Sequence, residues 1–376
     1  SPDWFARRQQ AKKSLTMQFF LGKRTFLIVL FGALLLIPIF STETQIFNAY
    51  QFNKYHIFIA NLVMLYIILS LGLNMLIGFA GQLAFANAAM YGIGAYGAGL
   101  LMMHFAWPYW AAAPGGMLIA MAAGTLLALP ALRMSGIYLA LTTLAFAQFV
   151  WWVMTHWTSV TFGAGGFIPP TIDFSPIPVT QEIGIYYLTW VAAILLYLVA
   201  KNTMASSIGR AFVAIRDGEV AAESLGINLF RYKALAFAIS GFYAGTAGAL
   251  YGGMLGFVGP ESFDLLQMIL HKAAVVLGGL GSIIGSVIGG VLLTISVEIT
   301  KELKWSIEMA FGGLLMLLVL FQPTGLVTFI KRWVPGWREH LQYLPEREAQ
   351  RTVDADETAG HGEMASTDRS AQERQP

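Results

Sequence analysis

The chain has 376 residues, of which 56% are hydrophobic and only 12% are charged, and its mean hydropathy is +0.62. Soluble domains carry about 25% charged residues, so this composition excludes a water-soluble fold and indicates an integral membrane protein. The net charge of +2 comes from basic residues in separate short stretches, which excludes a nucleic-acid-binding protein. No cysteine occurs in the sequence, so disulfides, thiolate metal sites and cysteine catalysis are excluded.

Hydrophobic runs long enough to cross a bilayer, roughly 20 residues each, divide the chain into predicted spans. In chain order they cover about residues 25–40, 56–78, 82–105, 109–129, 136–156, 183–200, 234–258, 268–299 and 308–330. The run 268–299 is interrupted by Gly278, Gly279, Gly281 and Ser282, which favours two short segments with a turn between them. We therefore predict an all-α, polytopic membrane helix bundle of about ten transmembrane segments, or nine if that run is one helix.

The positions of lysine and arginine predict the orientation, because cytoplasmic loops are enriched in them. Residues 1–24 carry six, residues 201–233 carry five, and Lys331, Arg332 and Arg338 come soon after the last span, whereas residues 158–182 carry none. Ten segments then place both termini and the loop 201–233 in the cytoplasm. The predicted domains are a cytoplasmic basic segment (1–24), a transmembrane domain (25–330) and a largely disordered cytoplasmic tail (331–376).

Small residues recur at helical spacing in two of the runs. The positions are Gly241, Gly245, Gly248, Gly252 and Gly256 in one run, and Gly281, Gly285 and Gly289 in the other. Such ridges let helix backbones approach closely. We predict that they pack helices within the chain; a subunit interface and a pathway lined by backbone are the alternatives.

Motifs for nucleotide, metal and nucleophile chemistry are absent from the sequence. It contains no GxxxxGK[ST], HExxH or GxSxG pattern, so we expect no cofactor, no metal site and no catalytic residue. The predicted spans are nearly free of mid-span charge, with Glu298 the nearest candidate, which disfavours an ion-driven carrier. The six histidines fall near predicted segment ends or in the tail, where interfacial or solvated roles are expected. A transporter with neither an ATP site nor an ion relay would have to take its energy from another protein.

The polar stretch 201–233 contains a pattern of two short helices. Residues Arg210–Arg216 are long enough for one or two turns, and Gly218 suits a break. Asp217 is the predicted cap of a second, amphipathic helix over Glu219–Leu225, which Gly226 would stop. A short helix held beneath a membrane bundle suits docking into a groove of a soluble partner. An ordinary surface loop is the alternative.

This stretch resembles the EAA loop of bacterial ABC-importer permeases, in which Glu-Ala-Ala is followed three residues later by glycine. The wider segment Gly209–Asn228 resembles the branched-chain amino acid permease subfamily of LivM type. In that family the loop forms the coupling helix that docks on the ATPase subunit, and Arg216 and Asp217 would then pair with charges on the ATPase. The resemblance assigns coupling to Arg210, Arg216, Asp217, Glu219, Ala221, Ala222 and Gly226.

Further blocks follow in the order of the same family. Leu71–Gln82 resembles its GLNLLxGxxGQ block, Ala88–Tyr96 its HAAFxGIGAY block, Leu277–Gly285 its LGGxGSxxG block and Phe321–Leu326 its FxPxGL block. The chain departs from the pattern at Ala84–Asn87, where the family often has Ser-Leu-Gly-His. A run rich in tryptophan also follows Gln148. These departures leave the solute open.

The resemblance implies the permease subunit of an ATP-driven importer in the bacterial inner membrane. It would take up branched-chain amino acids or a related small polar solute from an extracytoplasmic binding protein. The implied partners are a second, similar permease, two ABC ATPases that bind the ATP, and membrane lipid. Permeases of the same family for urea, short amides or aromatic acids are the first alternative. An ion-driven carrier, a passive channel and an intramembrane enzyme are less favoured.

Small amides and hydroxyls within the predicted spans could hydrogen-bond a zwitterion without a fixed charge. We therefore predict a substrate pathway that includes Asn74, Gln82, Asn87, Thr142, Thr143 and Gln148. Helix–helix hydrogen bonds are the alternative for each of them.

Overall fold

The computed structural model describes residues 30–32, 34–35, 54–131, 134, 136–174, 180–302 and 313. Within these residues the chain is helical, and β-type pairing is limited to one antiparallel bridge between Phe167 and Val258. The all-α fold class is confirmed. The basic segment 1–24, most of the first predicted span, nearly all of the last one, the block 321–326 and the tail 331–376 lie outside the described residues. The statements about them therefore stay predictions.

The helices of the described part follow one another with short connections. In chain order they are α1 (Lys54–Asn74), α2 (Asn87–Phe105), α3 (Tyr109–Ala131), α4 (Ile137–His156), α5 (Thr158–Thr161), α6 (Gln181–Ala205), α7 (Ser207–Asp217), α8 (Glu219–Ser224), α9 (Leu229–Leu255), α10 (Leu265–Gly278) and α11 (Ile283–Glu302). A π-helical turn, Met75–Phe79, continues α1, and 3₁₀ turns cover Gly163–Gly165 and Pro260–Phe263.

Two helices form the centre of the bundle. The apolar windows of α1 and α9 are 89% and 72% buried, whereas that of α4 is only 28% buried. α1 is apolar on all its faces, which is the pattern of a helix surrounded by other helices. α9 packs against α1, α2 and α3, while α11 packs against α1 and α10.

Five described helices are long and apolar enough to cross a membrane: α1 with its π-helical end, α3, α4, α6 and α9. α10 and α11 are shorter apolar helices. α2 is not among the five, because its composition is diluted by glycine and tyrosine. These helices make a polytopic membrane bundle. The number of spans stays a prediction, since residues 303–312 and 314–376 are not described.

The glycine ridges bring helix backbones into direct contact. A Cβ on Gly241 of α9 would lie 2.7 Å from the carbonyl oxygen of Ala120 in α3. A Cβ on Gly248 would run into the carbonyl of Tyr91 in α2. In the second ridge, a Cβ on Gly289 would run into a backbone carbonyl of α10. The prediction of close packing inside the chain is therefore confirmed for Gly241, Gly245, Gly248, Gly285 and Gly289. It is wrong for Gly256, which follows the last residue of α9 and where a Cβ would meet nothing within 4 Å.

The predicted break in the run 268–299 is also confirmed. α10 ends at Gly278 and α11 begins at Ile283. The turn between them needs two left-handed residues, and Gly279 and Gly281 have φ angles of +123° and +71°. Only glycine adopts such angles without a steric cost.

Other boundaries differ from the prediction. The run 82–105 becomes helical only at Asn87, and the residues before it, 81–86, have no regular structure. α6 continues to Ala205 and α9 begins at Leu229, so both ends of the polar stretch 201–233 belong to long helices. Hydrophobicity placed these boundaries where polar residues begin. α6 ends instead at Ser206, whose backbone N–H donates to the carbonyl of Thr203, and α9 begins after Asn228, whose side chain accepts from the N–H of Arg231.

Candidate functional site

α7 is an amphipathic helix that lies against the end of the bundle. Ser206 caps it, because the Ser206 hydroxyl accepts a hydrogen bond from the backbone N–H of Ile208 at 3.2 Å. Its buried face includes Phe212, whose ring meets Tyr232 of α9 edge-on at 6.5 Å, and Ile215. Arg210 lies on the exposed face. The first of the two predicted short helices is therefore present and longer than expected.

α8 is a short helix that presents apolar side chains to its surroundings. Val220 and Leu225 are 84% and 80% exposed, whereas Ala222 is buried. The helix stops as predicted at Gly226, which has φ +83° and donates its N–H to the carbonyl of Glu223 at 2.9 Å. The exposed apolar pair is an unusual feature for a loop between spans, and it gives α8 a surface suited to a partner.

The predicted cap of α8 is wrong. Asp217 is the last residue of α7, and Gly218 occupies the cap position of α8 without a side-chain hydrogen bond. The Asp217 carboxylate instead accepts hydrogen bonds from Arg216, with its Oδ1 2.9 Å from Nη2 and 3.0 Å from Nε. The neighbouring guanidinium offers this carboxylate a charge-assisted bond, which is stronger than a neutral cap.

Arg216 fixes the end of α7 to the end of α1. Its side chain is only 10% exposed, and its Nη1 donates to the carbonyl oxygen of Gly78 at 3.0 Å. Carbonyls in the last turn of a helix lack intrahelical donors, so the guanidinium satisfies one of them. Gly81, with φ +67°, lies against the Arg216 side chain, and a Cβ there would come within 2.6 Å of its Cγ.

Glu219 fixes the start of α8 to α9. Its Oε1 lies 2.6 Å from Nζ of Lys233, whose side chain is 5% exposed. A buried ammonium needs such a partner, because removal from water without one is costly. Lys233 was counted in the sequence only as a basic loop residue. Its pairing could not be foreseen, since the prediction started α9 after it.

Asn74 joins the end of α1 to the turn between α10 and α11. Its Oδ1 accepts from the backbone N–H of Gly281 at 2.9 Å, and its Nδ2 donates to the carbonyl of Ser282 at 2.8 Å and to Oγ of Ser286 at 2.7 Å. Gly78 packs directly on this amide and on Gly281. Two of the sequence blocks noted above, around residues 71–82 and 277–285, thus meet at one place.

The residues predicted for a substrate pathway are not gathered in one place. Asn74 bonds the α10–α11 turn, and Gln82 donates to the carbonyl of Ala80 at 3.2 Å. Thr142 and Thr143 donate to carbonyls of their own helix, at 2.9 Å in each case. These four side chains therefore have hydrogen-bond partners within the bundle: Asn74 in another segment, Thr142 and Thr143 in their own helix, and Gln82 in the turn just before it.

Two of the predicted pathway residues remain. Gln148 is exposed on α4. Asn87 differs from the rest, because it is buried and neither atom of its amide has a hydrogen-bond partner among the described residues. A pathway role for any of the six stays a prediction.

Two polar residues in the middle of α10 were missed. His271 is 2% exposed, and in the described part of the chain neither of its ring nitrogens has a hydrogen-bond partner. The Lys272 ammonium is buried, makes no hydrogen bond to that part of the chain, and lies over the face of the Phe85 ring. The expectations of an interfacial His271 and of spans nearly free of charge are wrong here. The sequence signal was a His-Lys pair inside an apolar run. Because the span was predicted to begin at residue 268, the pair fell near the end of that span instead of in the middle of a helix.

The described part is thus an apolar, polytopic helix bundle with two short amphipathic helices pinned to it, which is the architecture of a multi-pass membrane permease. Residues 55–320 match the family model described as "Branched-chain amino acid transport system / permease component". The chain belongs to this family of ABC-transporter permeases and is of the LivM-like type.

Individual relatives agree with the family model. The chain is 36% identical over 293 residues to the high-affinity branched-chain amino acid transport system permease protein LivM of Escherichia coli (strain K12), a match that covers 72% of this chain and 69% of the relative. It is 30% identical over 286 residues to LivH of Salmonella typhimurium, covering 70% and 91%. It is 31% identical over 193 residues to the autoinducer 2 import system permease protein LsrC of Enterobacter sp. (strain 638), covering 48% and 54%. No solved structure matches the chain significantly.

Proposed function

We propose that this chain is the transmembrane permease subunit of an ATP-driven importer for branched-chain amino acids or a related small polar solute. A binding protein on the outer side of the inner membrane delivers the solute. The observation that carries the proposal is α8, a short helix with Val220 exposed on it and Leu225 exposed directly after it. Glu219 holds α8 to α9, and Arg216 holds the preceding helix α7 to α1. The names of its LivM and LivH relatives support the solute class.

The proposed partners follow from the same helix. One ABC ATPase subunit docks on α8 and buries its apolar pair, and a second docks on the equivalent helix of a homologous second permease. The ATPases bind the ATP, so this chain contributes no catalytic residue. Nucleotide binding favours one state of the ATPase dimer, and the movement reaches the bundle through α8. The loop 201–233 and both chain ends lie on the cytoplasmic side in this arrangement.

The test is to place a charge on the exposed apolar face of α8. Val220→Asp should abolish co-purification of the ATPase and ATP-dependent uptake of L-leucine in proteoliposomes, because docking would bury the new carboxylate. Asn202→Asp is the matched control, because it adds the same negative charge at an exposed position of α6. Wild-type levels of both ATPase recovery and uptake in the Val220→Asp complex would contradict the proposal. Uptake without ATP would favour a carrier or a channel.

A further inference from the structure

The segment 81–86 crosses part of the bundle without regular structure. At its start, Gly81 lies against Arg216 at the α7 end of the bundle. Four residues into α2, Tyr91 packs under Gly248, which is 19 residues along α9. At 1.5 Å per residue that is about 28 Å from the first residue of α9 and about 10 Å before its last residue, so Tyr91 lies well within the length of α9, and Asn87 is only one turn of α2 away from it. α2 therefore begins inside the bundle rather than at its edge.

Irregular backbone at membrane depth is tolerated where it is buried in protein or lines a cavity. Here two neighbours hold it. The backbone N–H of Phe85 donates to the Thr143 hydroxyl of α4 at 2.8 Å, and Lys272 of α10 lies over the Phe85 ring. No side chain caps the start of α2, so its first N–H groups point their partial positive charge into the same region.

The first turn of α2 also packs on the Lys272 face of α10. Ala88 and Ala89 form one apolar cluster with Met268, and Phe85 packs against it. Met268 lies one turn before Lys272, and residues four apart share a helix face. The ammonium of Lys272 and the start of α2 are therefore neighbours, with the ring of Phe85 between the extended segment and α10.

The polar groups gathered here are buried without hydrogen bonds to any residue that the structure describes. They are both amide atoms of Asn87, which is 4% exposed, and Nζ of Lys272. In the part of the chain that the structure describes, no carboxylate forms an ion pair with Lys272. A membrane-embedded ammonium and an uncapped helix start both favour a negative charge. Burying them unpaired is costly, so a partner is expected to complete the region.

We propose that Lys272, Asn87 and the start of α2 form a binding site for the carboxylate of the transported solute. The proposal rests on the proposed importer function and narrows its solute: amino acids and other carboxylic acids fit, whereas urea and short amides do not. The Asn87 amide can accept a hydrogen bond from an ammonium or donate one to a carboxylate. The ammonium of Lys272 supplies a fixed positive charge, which the substrate pathway predicted from the sequence did not contain.

The first experiment measures binding without requiring transport. Thermal unfolding of the purified permease pair is followed with millimolar L-leucine, benzoate, urea or acetamide. A carboxylate should raise the unfolding midpoint of the wild type and of Lys272→Arg, but not of Lys272→Met; urea and acetamide should have no such effect at the same concentration. Lys201→Met, which removes an exposed lysine of α6, should behave as the wild type. Equal stabilisation of Lys272→Met, or none of the wild type, would overturn the site.

The second experiment separates this site from the importer itself. Proteoliposomes that contain the complete complex and its binding protein are assayed for ATP-dependent uptake of the same four solutes. Lys272→Met should lower carboxylate uptake about tenfold or more, as expected for loss of one charge-assisted bond. ATP-dependent uptake of urea or acetamide would overturn the site and leave the importer standing. Absence of any ATP-dependent uptake by the wild type, with carboxylate binding intact, would refute the importer alone. Loss of the second permease from the Lys272→Met complex would assign the ammonium to the subunit interface and overturn the site.

Discussion

Arg216 and Gly78, which are 138 residues apart in the chain, are joined by a 3.0 Å hydrogen bond from the guanidinium to the backbone carbonyl. One end of this bond belongs to the pair of short helices and the other to the π-helical turn that ends α1. Gly78 in turn packs on Asn74 and Gly281. A displacement of α7 therefore has a direct route of contacts to the turn between α10 and α11.

Replacing Arg216 should break this route. Arg216→Ala removes the bonds to Gly78 and Asp217, and we expect the solute transported per ATP hydrolysed to fall at least about fivefold, the lower end of typical coupling free energies. Arg231→Ala is the control, because it removes the same charge from an exposed position at the start of α9. The measurement compares uptake with ATP hydrolysis in the same proteoliposomes. An unchanged ratio in Arg216→Ala would show that coupling does not pass through this bond.

Reversing Glu219 should be more harmful than neutralising Lys233. Glu219→Lys places two ammonium groups together where one is buried, and we expect loss of uptake with membrane insertion intact. The exchange Glu219→Lys with Lys233→Glu should recover part of the uptake, because the ion pair is restored in the opposite sense. Uptake and the amount of membrane-inserted protein are measured for Glu219→Lys, for the neutralising variant Lys233→Met and for the double variant. A double variant as inactive as Glu219→Lys would assign Glu219 to the ATPase rather than to Lys233.

The Asn74 side chain should contribute more to the free energy of unfolding than the Ser286 hydroxyl, which is one of its hydrogen-bond partners at the α10–α11 turn. Asn74→Ala leaves the Gly281 N–H without its acceptor and removes the bonds to the Ser282 carbonyl and to Oγ of Ser286, and we expect a loss of about 2–3 kcal/mol at about 1 kcal/mol or more per bond. Ser286→Ala removes one of these bonds and should cost about 1 kcal/mol. Denaturant unfolding of the detergent-purified protein gives both values. Equal losses would mean that the amide does not organise the turn.

Gly248 should not tolerate a methyl group. Gly248→Ala would drive a Cβ into the Tyr91 carbonyl, and overpacking of this kind costs about 1–3 kcal/mol. Gly165→Ala is the control, since a Cβ there meets nothing within 4 Å and the residue has no positive φ. The two variants are compared by thermal unfolding. A Gly248→Ala protein as stable as the control would show that α2 and α9 are less closely packed than described.

The features that the sequence predicted correctly are those coded locally. The break at Gly279 and Gly281 depends on backbone angles that glycine alone adopts easily, and the stop at Gly226 has the same origin. The glycine ridge of α9 is a periodic pattern within one helix. Each of these needs only a few neighbouring residues to be recognised.

The features that were missed depend on contacts between distant segments. The ammonium of Lys272 contacts the ring of Phe85, which is about 190 residues earlier in the chain. Arg216 looked like an outward-facing charge on a short helix, yet it is mostly buried against α1. No periodicity in the sequence indicates that α1 ends in a π-helical turn, or that a carbonyl oxygen of this turn accepts a hydrogen bond from Arg216. A pairing of Arg216 or Asp217 with the ATPase stays a prediction.

The glycine contacts also determine which parts of the bundle can move. In the set formed by α2, α3 and α9, and again in the pair formed by α10 and α11, backbones touch without side chains between them. There are few rotamers to readjust at such contacts, so we expect each set to move as one body. α1 belongs with α10 and α11, because a Cβ on Gly290 of α11 would lie 2.6 Å from the backbone nitrogen of Ile67 in α1. The joint between the two bodies then runs between α1 and α9 and through the segment 81–86. Opening and closing of the permease would therefore be a hinge motion about the same few residues that Asn74, Gly78 and Arg216 hold together.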